Sequence, residues 1–241
     1  MADFDRVSRE DLLCLADTCL LLGHRLSEWC GHGPILEEDI ALSNCALDLL
    51  GQCRRLYQCV AARDGDDQTE DRLAYLRDPD DFRNVPLAAL PNGDYAQTML
   101  RAWVLGLWFS VVWDRLSSSA DQELAAIARD AVKEARGLAR HAGEWVVRFG
   151  DGTEESRARL LAAQTLLRHW VADLEGIDVA GVSGADVYRE LMRASENVCA
   201  RAELPEVFSG GGSLALDPVE ARRELLAEMQ ALPRQYPDAV W

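Results

Sequence analysis

Two acidic residues in the middle of long helical patterns are the best candidates for metal chemistry in this sequence. Asp48 and Glu134 each lie in a stretch whose apolar residues recur every three or four positions. A carboxylate-bridged di-iron site in a helical bundle needs a Glu from each of two helices and a Glu-x-x-His from each of the other two. That spacing puts the carboxylate and the imidazole on one face, where both reach the same metal.

The histidines that such a site requires are missing. Gly51 stands three residues after Asp48, and Gly137 stands three residues after Glu134. The stretch 102–113, which reads as another long helix, contains no acid. The sequence therefore predicts no catalytic residue and no metal in this chain. The degenerate remnant positions of a di-iron site are Asp48, Gly51, Gln52, Glu134 and Gly137.

The structural role of the two acids remains open. One alternative is that Asp48 and Glu134 form a buried or half-buried pair with arginine partners, since a buried charge must be paired and hydrogen-bonded. The other is that Asp48 lies on a solvated strip of its helix. At the depth of the would-be metal, the first helix offers only Asp17 or Thr18. The candidate arginines are Arg54, Arg101 and Arg136.

Two functional alternatives to a catalytically silent chain also remain. One is a stand-alone metal-binding protein or di-iron oxygenase with unusual ligands near Asp48, Gln52 and Glu134. The other is a helical protein that binds an acyl-CoA or another apolar ligand in space left by the lost metals. The small residues that could line such a space are Gly51, Gly106 and Gly137. Glycine at a contact between helices, however, more often permits close packing.

Composition and charge exclude several other classes of function. The chain has 241 residues, a net charge of −16 and a pI near 4.6, which argues against binding to nucleic acid or to an anionic membrane, because their phosphates would be repelled. The longest uncharged apolar run, 102–113, is too short to span a bilayer. The N-terminus does not read as a signal peptide, and the seven cysteines form no Cys-x-x-Cys pair. We therefore expect a cytoplasmic protein with reduced thiols.

The apolar periodicity predicts an all-α protein. A long connection, 64–93, separates two helix pairs, which is typical of a ferritin-like four-helix bundle with one crossover. We predict one ferritin-like domain over 1–241, with a core bundle at about 9–150 and additional C-terminal helices at about 154–234. The predicted helices are Arg9–Cys30, Ile35–Arg63, Gln68–Leu76, Asp94–Leu116, Asp121–Phe149, Glu154–Leu174, Asp186–Leu204 and Pro218–Leu232.

Four local features sharpen this prediction. The helix at 35–63 is apolar nearly all round, so we expect it to be buried on most of its surface. The helix at 94–116 should be the most buried of all, because its centre has no charge. Pro233 is expected to end the last helix, and the glycine-rich segment 209–213 to be flexible.

The stretch 28–52 also carries a resemblance to a known family. Matching motifs follow in order at 76–78, 91–94, 133–136, 148–153 and 226–230, and at the terminal Trp241. On these motifs the chain resembles the C subunits of the bacterial phenylacetyl-CoA ring epoxidases, of the ferritin-like superfamily. The family-motif residues are Glu28, Trp29, Gly31, His32, Asn44, Asp48, Gly51, Gln52 and Glu134.

The resemblance implies a role inside a multicomponent monooxygenase. The chain would be a non-catalytic structural subunit that docks on the catalytic A subunit and supports it. The complex epoxidises the aromatic ring of phenylacetyl-CoA in aerobic phenylacetate catabolism. The resemblance places the di-iron centre in the A subunit, and NADPH, flavin and iron–sulfur chemistry in a reductase subunit, with no cofactor in this chain. Self-association remains open.

Overall fold

The chain folds into α-helices arranged around two antiparallel hairpins. The computed structural model describes residues 7–65, 68–204 and 215–236. Short 3-10 turns lie at Pro79–Asp81 and Asp173–Gly176. The α-helices of the described residues are α1 (Arg9–Ser27), α2 (Leu36–Asp64), α3 (Glu70–Tyr75), α4 (Pro86–Ala89), α5 (Tyr95–Leu116), α6 (Gln122–Gly150), α7 (Glu154–Ala172), α8 (Gly184–Arg201) and α9 (Pro218–Gln235).

The two hairpins form the predicted bundle. α1 packs along α2, and α5 packs along α6. The crossover that joins the hairpins contains α3 and α4. The two hairpins contact each other through α2 and α6. α7 and α8 pack against α5 and α6, while α9 packs against α4. The all-α bundle with one long crossover and additional C-terminal helices is therefore confirmed.

α5 forms the centre of the hydrophobic core. Trp103, Trp108 and Trp113 are each buried, which confirms the prediction from its uncharged middle. Gly106 lies where α6 passes, and a Cβ there would lie 2.8 Å from the backbone nitrogen of Ala139. Gly106 thus permits close packing of two helices and lines no open space. No helix within the described ranges is long and apolar enough to cross a membrane.

α2 is more exposed than the sequence predicts. Its buried side packs on α1, but Leu36, Ile40 and Leu47 lie on the opposite side and are exposed. We call these three residues the α2 ridge. The prediction that α2 is buried on most of its surface is wrong, because apolar residues on all sides of a helix do not show which side faces the core of the same chain.

Several helix ends differ from the prediction by a few residues, and the ends of α1 and α9 have a clear physical cause. α1 ends at Ser27 because the chain turns there, with the N–H of Cys30 donating to the carbonyl of Ser27. α9 continues through Pro233 to Gln235. In the last turn the proline removes only its own N–H bond, and Tyr236 still donates to the carbonyl of Leu232. The segment 209–213 and Trp241 lie outside the described residues.

A buried carboxylate ties the first hairpin to the crossover. Asp17 on α1 is fully buried. It accepts hydrogen bonds from the Tyr57 hydroxyl (2.5 Å), from Arg77 Nη1 (3.2 Å) and from the backbone N–H of Arg83 (2.7 Å). The Arg77 guanidinium also lies 4.0 Å from the ring centroid of Phe82. This buried charge is tolerated because it is paired and fully hydrogen-bonded.

Two more arginines bind carbonyl groups of the crossover, and one of them, Arg25, also binds a carbonyl group of α9. Arg25 on α1 donates from Nε to the carbonyl of Ala89 (3.1 Å) and from Nη2 to that of Ala221 (3.1 Å). Arg101 on α5 donates to the carbonyl of Pro91 (3.1 Å). Both arginines are buried. They satisfy backbone acceptors that would otherwise be buried without partners.

We predict that Asp17→Ala lowers the free energy of unfolding by about 3–5 kcal/mol, because it leaves the Arg77 charge without its buried partner. Urea denaturation followed by circular dichroism measures this. The control is Asp114→Ala, which removes an exposed ion pair with Arg136 and should cost less than about 1 kcal/mol. Equal losses in the two variants would contradict the prediction.

Candidate functional site

A hydrogen-bonded chain of three side chains crosses the middle of the bundle. The thiol of Cys19 on α1 lies 3.7 Å from Gln52 Oε1 on α2, and Gln52 Nε2 donates to Glu134 Oε2 on α6 at 2.6 Å. Cys19 and Gln52 are buried, and Glu134 is half-buried. Two of the predicted remnant positions, Gln52 and Glu134, are therefore in direct contact.

Cys19 is the α1 residue that faces this centre, and the two residues that the sequence offers face elsewhere. Asp17 binds Arg77 at the crossover, and Thr18 Oγ1 accepts the N–H of Val85 (3.0 Å). A signal for Cys19 exists in the sequence, because it belongs to the apolar stripe that marks the buried side of α1. Burial, with a smaller contribution from Glu134, raises the pKa of the Cys19 thiol well above its ordinary value.

A narrow cleft between α2 and α6 opens from the hydrogen-bonded side chains of Gln52 and Glu134 to the surface. The α2–α6 cleft has a volume of about 160 Å³. Asp48 lies exposed at its rim, while Gly51 lies on the exposed outer side of α2. The fold thus brings four of the five predicted positions to one cleft. Its lining residues are Cys45, Asp48, Leu49, Gln52, Phe109, Glu134, Ala135, Gly137 and Leu138.

The expected arginine partners of the two acids are engaged elsewhere, so the prediction that Asp48 and Glu134 pair with these arginines is wrong. Asp48 instead lies on a solvated strip of α2, as the other alternative predicts. Helical spacing alone does not show which arginine lies on the same side as an acid of another helix. The contacts that engage the three arginines are Arg54–Glu70 (3.4 Å), Arg101–Pro91 carbonyl (3.1 Å) and Arg136–Asp114 (2.6 Å).

The carboxyl groups at the cleft are only partly neutralised. Burial raises the pKa of Glu134, the nearby Asp48 adds to the rise, and the hydrogen bond from Gln52 and the charge of Arg55 oppose it. Desolvation also raises the pKa of Asp48. Arg55 itself is paired with Asp130 at 3.0 Å. The cleft therefore presents an acidic rim above apolar walls.

These side chains do not fit a di-iron centre. Among the described residues, no three His, Cys, Asp or Glu side chains come together closely enough to hold a metal ion. The cleft offers one half-buried carboxylate, one exposed carboxylate, an amide and the thiol of Cys45, whose pKa burial raises to about 11, and no imidazole lines it. A thiol must lose its proton to bind a metal. That this chain binds no metal remains a prediction.

A second polar cluster joins α2, α5 and α6 outside the cleft. Glu38 on α2 accepts a hydrogen bond from the Tyr95 hydroxyl at 2.8 Å. His141 Nε2 on α6 lies 2.9 Å from the same carboxylate. The sequence gives no direct signal for this cluster, because its three members lie far apart in the chain.

Comparison with known proteins identifies the family. A model of the phenylacetic acid catabolic protein family matches residues 5–241. This chain belongs to that family. It is also 38% identical, over a 248-residue alignment that covers 95% of this chain and 97% of the relative, to the C subunit of 1,2-phenylacetyl-CoA epoxidase from Escherichia coli (strain K12). The resemblance drawn from the motifs is confirmed, and the helical architecture agrees with the ferritin-like fold.

In this member of the phenylacetic acid catabolic protein family, the first part of the motif fastens the turn between α1 and α2. Glu28 accepts a hydrogen bond from Asn92 Nδ2 of the crossover at 2.7 Å. Trp29 Nε1 donates to Thr98 Oγ1 on α5 at 3.2 Å. The turn is therefore held against both the crossover and the second hairpin.

Glycine and aspartate shape the same turn. Gly31 has a φ of +79°, which favours glycine, and its N–H donates to the Asp39 carboxylate at 2.6 Å. A carboxylate in the first turn of α2 also meets the positive end of the helix dipole. His32 and Asn44 are exposed. The motif thus has a structural half, the turn, and a second half on α2 that reaches the cleft.

We predict that Glu134→Gln raises the free energy of unfolding at neutral pH. The folded chain raises the pKa of Glu134, so its charge costs stability above the folded pKa, and the cost disappears below the unfolded pKa. The gain should therefore shrink toward roughly pH 4. Urea denaturation at both pH values tests this.

The matched control for this substitution is Glu144→Gln on the same helix. Pairing with Arg201 lowers the pKa of Glu144, so its neutralisation should give no gain at neutral pH. A loss of stability for Glu134→Gln at neutral pH would contradict the prediction.

Proposed function

We propose that this chain is a non-catalytic structural subunit of a phenylacetyl-CoA ring epoxidase in aerobic phenylacetate catabolism. It docks on the di-iron A-type subunit and supports the fold and assembly of that subunit. The observation that carries the proposal is the row of hydrogen bonds that joins Cys19, Gln52 and Glu134. These side chains occupy the middle of the bundle, in a protein whose sequence is 38% identical to the C subunit of a phenylacetyl-CoA epoxidase.

The hydrogen-bonded chain supports a structural role on chemical grounds. A metal site in a bundle needs carboxylates and imidazoles that converge with free lone pairs. Here the Gln52 amide donates to Glu134, which uses one carboxylate oxygen for a bond within the protein. Cross-linking α1, α2 and α6 by side-chain hydrogen bonds stabilises the bundle without a metal.

The redox chemistry of the complex then belongs to other subunits. The di-iron centre lies in the A-type subunit, and a reductase supplies electrons from NADPH through flavin and an iron–sulfur cluster. The relative is one subunit of an epoxidase, which supports a heteromeric partner. This chain provides a docking surface for the A-type subunit and stabilises the fold of that subunit.

The size of the cleft gives little support to an acyl-CoA-binding role. Sites for drug-sized ligands have volumes of about 300–1,000 Å³. The α2–α6 cleft has about 160 Å³. It is large enough for a single bulky side chain or a small ring and too small for a CoA thioester.

Reconstitution tests the proposed function. The A-type subunit, this chain and the reductase are mixed, and phenylacetyl-CoA epoxidation is followed by product formation and NADPH consumption. We expect this chain to elute together with the A-type subunit, and epoxidation to lose most of its rate when this chain is left out. A chain that elutes alone beside the A-type subunit, or an A-type subunit that is equally active without it, would contradict the proposal.

Iron loading separates the proposal from the metal-binding alternative. The full-length chain is incubated anaerobically with ferrous iron, desalted and analysed for metal. Because the cleft offers no imidazole, we expect well under about one iron per chain, whereas a di-iron protein takes up two. Two irons per chain that Glu134→Ala abolishes would establish the alternative.

A further inference from the structure

The α2 ridge is an apolar surface that no part of the described chain covers. Leu36, Ile40 and Leu47 are 72%, 52% and 65% exposed. Their spacings of four and seven residues place them on one side of the helix. Single exposed apolar residues are ordinary, but an aligned set on one helix marks a contact surface.

Two glycines beside the ridge have no packing role within the described chain. Gly51 follows Leu47 by one helical turn, and Gly137 lies across the cleft on α6. A Cβ built on either glycine meets no atom within 4 Å, whereas a Cβ on Gly106 would meet a neighbouring helix. Glycine inside a helix costs about 1 kcal/mol relative to alanine. Both glycines leave helix backbone bare, which suits the close approach of another molecule.

The charge at the cleft indicates what kind of side chain fits there. Asp48 and Glu134 line the cleft with apolar walls between them. The arginines nearest in sequence, Arg54 and Arg55 on α2, are paired with Glu70 and Asp130, and Arg136 on α6 with Asp114. A cation from outside would offset the desolvation of the half-buried Glu134 carboxylate and its repulsion by the exposed Asp48 carboxylate.

We propose that the α2 ridge and the α2–α6 cleft form the surface on which the di-iron A-type subunit docks. A helix of that subunit lies along Leu36, Ile40 and Leu47, and passes close to the bare backbone at Gly51 and Gly137. One of its arginine or lysine side chains lies over Asp48 and Glu134. This inference rests on the proposed function and identifies the surface of this chain that binds the A-type subunit.

The charge of the chain favours this partner over a second copy. Two copies would each bring a net charge of −16, and like charges repel. In addition, a self-complementary contact would set the acidic rims of both copies in the same interface. A partner that supplies a cation matches the cleft better.

Binding of the purified A-type subunit to full-length variants of this chain tests the surface. Leu47→Glu places a charge on the ridge, Gly51→Leu fills the bare position, and Asp48→Lys reverses the charge at the rim. We expect each to raise the Kd for the A-type subunit at least about tenfold. Circular dichroism and the Tm of the isolated variants report whether each still folds.

The matched control is Leu232→Glu, which changes a 49% exposed leucine on α9, away from the ridge, and should leave the Kd within about twofold. If the wild-type chain itself does not bind the A-type subunit, the proposed function fails. If the wild type binds and the ridge variants bind equally well, only the surface is wrong. A wild-type homodimer that Leu47→Glu dissociates would assign the ridge to a second copy and overturn the partner named here.

Discussion

The fold depends on the hydrogen bonding of buried charged side chains at the crossover. Asp17 is fully buried and bound to Arg77, while Arg25 and Arg101 bind carbonyl groups of the same connection. A long connection between hairpins has many backbone acceptors and little regular structure to satisfy them. Because the arginines come from α1, α5 and the crossover itself, they fix how one hairpin lies against the other and so place α2 beside α6.

Much of the architecture could be predicted from the sequence because the signals were local. Apolar periodicity gave the long helices to within a few residues, and the turn clusters gave the crossover. The exposure of α2 could not be predicted, because residues such as Leu47 look the same whether a helix of the same chain or another molecule covers them. The continuation of α9 through Pro233 could not be predicted either, because a proline is tolerated only when it lies in a suitable turn near the helix end, and the sequence does not show where the helix ends.

The candidate site was predicted in part. Spacing along the helices predicts the remnant positions, and the fold brings Asp48, Gln52, Glu134 and Gly137 to one cleft. Their partners were not foreseen, because a contact between helices depends on rotation about each axis, which spacing along one helix does not reveal. For Cys19 the apolar stripe predicts burial but not its contact with Gln52, because a cysteine in such a stripe looks like a packing residue until its neighbours across the bundle are known.

The tryptophans of α5 have a spectroscopic consequence. Trp103, Trp108 and Trp113, three of the seven tryptophans in the chain, lie in the core, and the described residues give the indole N–H groups of Trp108 and Trp113 no hydrogen-bond partner. Their emission therefore belongs to a dry environment and will shift to longer wavelength when the second hairpin opens. α2 contains no tryptophan. The blue-shifted part of the intrinsic fluorescence will report on α5, and an introduced fluorophore will be needed to observe α2 itself.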